Sequence, residues 1–214
     1  MSILLKSSLG VTGALGTGTA GAAGLYYGTK ISIGDRVGHD FLGNKEEFND
    51  SWKQKHEQLL ESAEDSLISG LKNIRKTYNT KSNEDGANAL KEWCNSIRSA
   101  SYKNIFISEN TSLLNLAKKY CIQPIKDKIG TGALVDMNNG QSNFETNYKK
   151  LDNYDVSKSG QLDSFLQELK DSFNAGKANE NWGKIKEWCI SEIEKPFKGS
   201  TDNSFKLVET FCKK

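Results

Sequence analysis

Six residues of this chain occur twice. Lys91-Glu92-Trp93-Cys94-Asn95-Ser96 returns as Lys186-Glu187-Trp188-Cys189-Ile190-Ser191, with five of six positions identical. The likeness extends outward in register: Leu90 aligns with Ile185, Tyr102 with Phe197, and Lys103 with Lys198. Upstream, Phe48, Trp52 and Lys53 align with Phe144, Tyr148 and Lys149. Downstream, Leu116, Tyr120 and Cys121 align with Leu207, Phe211 and Cys212 across a gap of four residues. Two amphipathic helices share a period by chance, but chance does not place Trp-Cys and aromatic-Cys in the same order. A duplication is therefore expected, with one copy over 44–129 and a second over 140–214. The Gly/Asn-containing stretch 130–139 between them reads as a linker, and so does 31–43 before the first copy.

The apolar spacing within each copy is helical. Phe48, Trp52, Leu59, Leu60, Ala63, Leu67, Leu71, Ile74 and Tyr78 fall on one face of what reads as a single long helix. Asn83 is a cap for the next helix, which turns Leu90, Trp93, Cys94 and Ile97 inward. Thr111 or Ser112 opens a shorter one carrying Leu113, Leu114, Ala117, Tyr120 and Cys121. The second copy repeats the plan, with Asp155–Gly160 breaking its long helix and Phe165, Trp182 and Trp188 among its inward residues. No alternating strand pattern stands out. The expected fold is all-α, two tandem small helical bundles in which aromatics supply much of the core.

Each copy holds two cysteines. Duplication favours pairing within copies, Cys94 with Cys121 and Cys189 with Cys212, among the three pairings four cysteines allow. The competing reading is four buried thiols beside aromatic packing. Zinc is disfavoured, because no C-x-x-C occurs and the histidines are only His39 and His56. His56 lies one turn from Trp52 and Leu60 and reads as a packed core histidine.

Ahead of the repeats, 23 residues between Lys6 and Lys30 carry no charge. As a helix they would reach roughly 35 Å, enough for a bilayer core of about 30 Å. Ala20, Gly24 and Gly28 recur every fourth residue, the small-xxx-small spacing by which membrane helices pack. Residues 1–30 are thus expected to be a single membrane helix or signal-anchor. Ala20-Gly21-Ala22 also resembles a signal-peptidase site, and a Gly-rich tail is the third reading. Both leading readings put the remainder outside the cytoplasm, where disulfides form. Gly16-Thr17-Gly18-Thr19-Ala20-Gly21 satisfies a dinucleotide-binding pattern, but no strand precedes it and no α/β chain follows.

Residues 31–214 carry 27 basic and 27 acidic side chains. A balanced surface exerts no long-range pull on nucleic acid, so nucleic-acid binding is not expected. No serine-hydrolase elbow, zinc-protease, P-loop or EF-hand pattern is present. Glu61, Glu64 and Asp65 read as a solvated face. No catalytic residue, cofactor or metal is expected, although a hydrolase or ligand binder within the helical core would announce itself by a deep pocket lined with polar groups.

The start Met1–Lys30, with its Ser-Leu-Gly and Gly/Ala-rich apolar run, together with the Trp-Cys and aromatic-Cys signatures, resembles the paralogous membrane-anchored proteins of hemotrophic mycoplasmas. That resemblance implies display at the cell surface, for antigenic variation or contact with a host-surface protein. It supplies no site residues. The expected function is a non-enzymatic surface protein, with a structural membrane protein oligomerising through its Gly-rich helix as the alternative.

Overall fold

The computed structural model describes residues 29–38 and 40–214; the expected membrane segment, with Ala20, Gly24 and Gly28, lies outside the described residues, as does His39. Eleven α-helices are found among the described residues: α1 (Ile33–Val37), α2 (Asn49–Leu60), α3 (Ser69–Thr77), α4 (Glu84–Arg98), α5 (Thr111–Cys121), α6 (Ile125–Ile129), α7 (Gln141–Lys149), α8 (Val156–Ser159), α9 (Ser164–Asp171), α10 (Ala178–Glu192) and α11 (Asn203–Phe211). The protein is mostly helical, as its periodicity requires. Among the described residues no helix is long and apolar enough to cross a membrane. One antiparallel pair departs from the all-helical expectation: β1 (Ile31–Ser32) pairs with β2 (Ser101–Lys103).

The long helix expected from Phe48 to Tyr78 is two helices, α2 and α3. Apolar periodicity cannot register the break, because Leu59, Leu67 and Leu71 still reach the core. Local polar chemistry makes it. Ser66 Oγ donates to Ala63 O at 2.6 Å, and Ser62 Oγ donates to Gln58 O at 2.9 Å while accepting from the Tyr120 hydroxyl at 2.8 Å. Such side-chain bonds compete with helix continuation. The freed carbonyl of Leu60 is taken by Arg75 Nε at 3.2 Å. Ala63, expected inward, is exposed. In the second half the break is wider than Asp155–Gly160, since α7 already ends at Lys149 and the short α8 lies inside that stretch. Phe165 is exposed, not inward, and Trp93 and Trp182 are only partly covered. Caps fare better: Asn83 Oδ1 accepts from Gly86 N–H at 2.9 Å. α5 begins at Thr111, as expected, and its cap is Asn110, whose Oδ1 accepts from Leu113 N–H at 3.1 Å.

The two halves use the same contacts. Ile33 N–H donates to Ala100 O at 2.8 Å and opens α1; Ile125 N–H donates to Lys195 O at 2.9 Å and opens α6. Both five-residue helices follow an Ile-x-Asp-basic-Val/Ile-Gly pattern and end on glycines with positive φ, Gly38 at 60° and Gly130 at 84°. A side chain is strained there, so glycine is the fitting residue. The basic residue of each helix lies over the aligned aromatic ring, Arg36 over Tyr102 at 5.7 Å and Lys128 over Phe197 at 5.3 Å. Leu42 N–H donates to Cys121 O, and Val135 N–H to Cys212 O, both at 2.8 Å. In both halves the first long helix (α2, α7) packs on the Trp-Cys helix (α4, α10), and the last helix (α5, α11) packs on the short first one (α1, α6).

The stretches 31–43 and 130–139, expected as linkers, are therefore built into the fold. Ile33, Val37, Phe41 and Leu42 are buried in the first, and Leu134 and Val135 in the second. The halves share one core. Phe197 of the second half stacks edgewise on Phe205 of the same half and touches Phe48 of the first, with ring centroids 4.9 and 5.5 Å away, while the antiparallel Pro124–Pro196 bridge is the second half's counterpart of the β1–β2 pairing.

Candidate functional site

Both expected disulfides are present. Cys94 joins Cys121 and Cys189 joins Cys212, with Cα atoms 5.6 and 5.7 Å apart. Each ties the Trp-Cys helix of its half to the end of the last helix, and all four residues are buried. The chemistry around them is structural. A lysine from the first long helix or its end reaches the carbonyl two residues before the second half-cystine: Lys55 Nζ donates to Lys119 O at 3.0 Å, and Lys150 Nζ to Thr210 O at 2.7 Å. Burial lowers the pKa of both amines from the ordinary lysine range. Asn147 Nδ2 adds bonds to Phe211 O at 2.8 Å and Lys213 O at 3.0 Å. These amines and amides cap carbonyls that a helix end leaves without partners. Sequence reasoning passed over them, since a lysine on a helix face looks solvated until its neighbours are known.

His56 is fully buried, and neither ring nitrogen makes a hydrogen bond of ordinary geometry. Gly86 makes room for it: a Cβ there would lie 2.4 Å from the imidazole. Burial pushes the His56 pKa below the ordinary histidine range, and the Tyr78 backbone and the charge of Glu57 offset this only in part. Enclosed in this way, the ring fills space. Burial likewise pushes the Tyr154 hydroxyl up to about 12, and that hydroxyl is occupied by Ser159 O and Gly160 O at 2.8 Å each. Among the described residues no group of three or more His, Cys, Asp or Glu side chains could hold a metal ion.

An open cleft of about 830 Å³ lies between residues 32–44 and the end of α4. Its polar groups are engaged in structure. The Asp35 carboxylate closes a capping box with Ser32, which holds it below the usual carboxylate range. Asn95 donates to Asn44 at 3.1 Å, and the Arg98 guanidinium lies 4.9 Å over the Phe41 ring. No nucleophile and base are brought together there. Another surface feature is apolar. Beyond β2 the chain turns at Asn104 and presents Ile105, Phe106 and Ile107, which are 56, 76 and 46% exposed. An Ile-Phe-Ile run between polar residues, too short for a helix, was the signal available in the sequence.

No protein-family model, curated protein or solved structure matches this chain.

Proposed function

We propose that this is a non-enzymatic, membrane-anchored surface protein of the antigen or host-interaction type. Its outward part, on this reading, is a duplicated, disulfide-bonded helical module. The observation that carries it is the pair of buried disulfides behind a 23-residue uncharged segment, because cystines persist where the compartment is oxidising. The resemblance to hemotrophic mycoplasma proteins points the same way. Duplication is supported by the repeated bonds around Ile33 and Ile125, and they move the copies' starts upstream, to about residues 31 and 123. Protease added to intact cells bearing the chain should cut within residues 30–214, read on reducing gels. Protection until the membrane is permeabilised would refute surface display.

The Ala20, Gly24, Gly28 spacing favours a second reading, a structural membrane protein that oligomerises through that segment. Cross-linking of the full chain in membranes should then lose its dimer band in Gly24→Leu/Gly28→Leu. An unchanged band would count against it.

A further inference from the structure

We propose that Ile105, Phe106 and Ile107 form a second membrane contact, seated in the interfacial layer of the same bilayer that residues 7–29 cross. The proposal rests on the reading of that uncharged segment as a membrane span.

Strand direction supplies the first argument. β1 and β2 are antiparallel, with Ile31 opposite Lys103. Going back from Ile31 toward Thr29 and going forward from Lys103 toward Phe106 therefore lead off the same end of the ribbon. Thr29 is two residues from the pairing and Phe106 three. At about 3.4 Å per residue, both lie within roughly 10 Å of it. A chain leaving a bilayer at residue 29 or 30 carries the tip down to the headgroup layer with it.

Composition supplies the second. Of the eight large hydrophobic side chains exposed among the described residues, four are here: the three tip residues and Ile31. Turns ordinarily take Gly, Pro, Asn, Asp or Ser. This one uses Asn104 to fix the turn, its Oδ1 accepting from Phe106 N–H at 2.8 Å and Ile107 N–H at 3.1 Å, and its Nδ2 donating to Ser101 at 2.9 Å. The backbone is thus held in a shape that displays three consecutive apolar side chains. Exposed apolar residues of this kind anchor proteins at membrane interfaces.

The second half of the chain is an internal control. Lys198 aligns with Lys103, and the turn that follows it is Gly199-Ser200-Thr201-Asp202, short and polar. Ser200 binds Glu47 through its N–H and Oγ at 2.9 Å each. The half entered from Cys121 thus has a polar turn, and only the half entered from the uncharged segment has the longer apolar one. Nearby charges nearly cancel, Lys30, Arg36 and Lys103 against Asp35 and Glu109. The contact is therefore apolar and insensitive to salt.

The test uses the full chain in phosphatidylcholine vesicles. Phe106→Trp adds one fluorophore to the four native tryptophans, and lipids brominated near the headgroup end of their acyl chains quench only what reaches them. The added emission should fall at least about twofold with brominated lipid, at low and high salt alike. Thr201→Trp, in the polar turn, should be unaffected. Ile105→Trp repeats the measurement should Phe106→Trp disturb the turn. A chain that floats with the vesicles and resists alkaline extraction, yet whose introduced tip fluorophore is not quenched, overturns the proposal alone. The tip then faces water or is covered by protein. A chain that fails to float removes the membrane span first and the proposal with it.

Discussion

Removing one cystine should cost the same in either half. The closed loops span 27 and 23 residues and do not overlap. In the chain-entropy treatment such loops stabilise by about 3.5 and about 3.4 kcal/mol at room temperature. Replacing both buried half-cystines by alanine adds lost packing on the order of 1 kcal/mol. Each double variant, Cys94→Ala/Cys121→Ala or Cys189→Ala/Cys212→Ala, should thus lose about 4–5 kcal/mol. With a urea m-value of about 2–3 kcal/mol/M, the midpoint drops by about 1.3–2.5 M. The assay is urea unfolding of residues 30–214 followed by tryptophan fluorescence and far-UV circular dichroism. Because the loops are separate, removing all four cysteines should cost about 8–10 kcal/mol, comparable to the whole stability of an ordinary domain, and leave the chain largely unfolded in buffer. A loss below about 1 kcal/mol for either pair, or a difference above about 2 kcal/mol between them, would refute the reasoning from loop size.

Four further outcomes are expected. His56 is buried with its pKa below the ordinary histidine value of 6.5, so its contribution is present above that pH and is lost as pH falls toward the folded-state pKa; urea midpoints between pH 7.5 and 5.5 should fall in the parent and stay flatter in His56→Leu. Gly34→Ala would place a Cβ 2.8 Å from the Arg98 carbonyl oxygen and should destabilise by about 1–3 kcal/mol, whereas Gly183→Ala, in α10 with nothing within 4 Å, should raise the melting temperature through roughly 1 kcal/mol of helix propensity. Asn147→Ala leaves the Phe211 and Lys213 carbonyls uncapped and should cost about 1–3 kcal/mol, read as a lower melting temperature with both disulfides intact.

What could be read in advance was whatever depends on neighbours in sequence or on comparing the chain with itself. The Trp-Cys recurrence led to the cystine pairing, and Asn83 declared its helix because capping is local. The break at Ser62–Ser66 was hidden, since Leu59, Leu67 and Leu71 keep a helical spacing that two helices satisfy as well as one. The stretches 31–43 and 130–139 looked like linkers on their glycines, yet Ile33, Val37, Phe41 and Leu42 already carried the spacing of a buried segment. The pattern Ile-x-Asp-basic-Val/Ile-Gly was present in both halves, but it is too short to recognise until Ile33 and Ile125 are seen making the same bond. Pairing of β1 with β2 joins residues some seventy apart in sequence, and no local pattern announces it. The apolar tip was visible as Ile-Phe-Ile; that the fold leaves it on the surface was not.

The placement of the cystines also bears on how the chain would survive attack. The Asn104–Ile107 tip lies inside the Cys94–Cys121 loop, and the Gly199–Asp202 turn inside the Cys189–Cys212 loop. A single cut anywhere within either ring, as in the Gly199–Asp202 turn, opens the backbone without separating the pieces. A nicked molecule keeps its outer half covalently attached to its inner half, and shedding would require reduction or a second cut outside both rings.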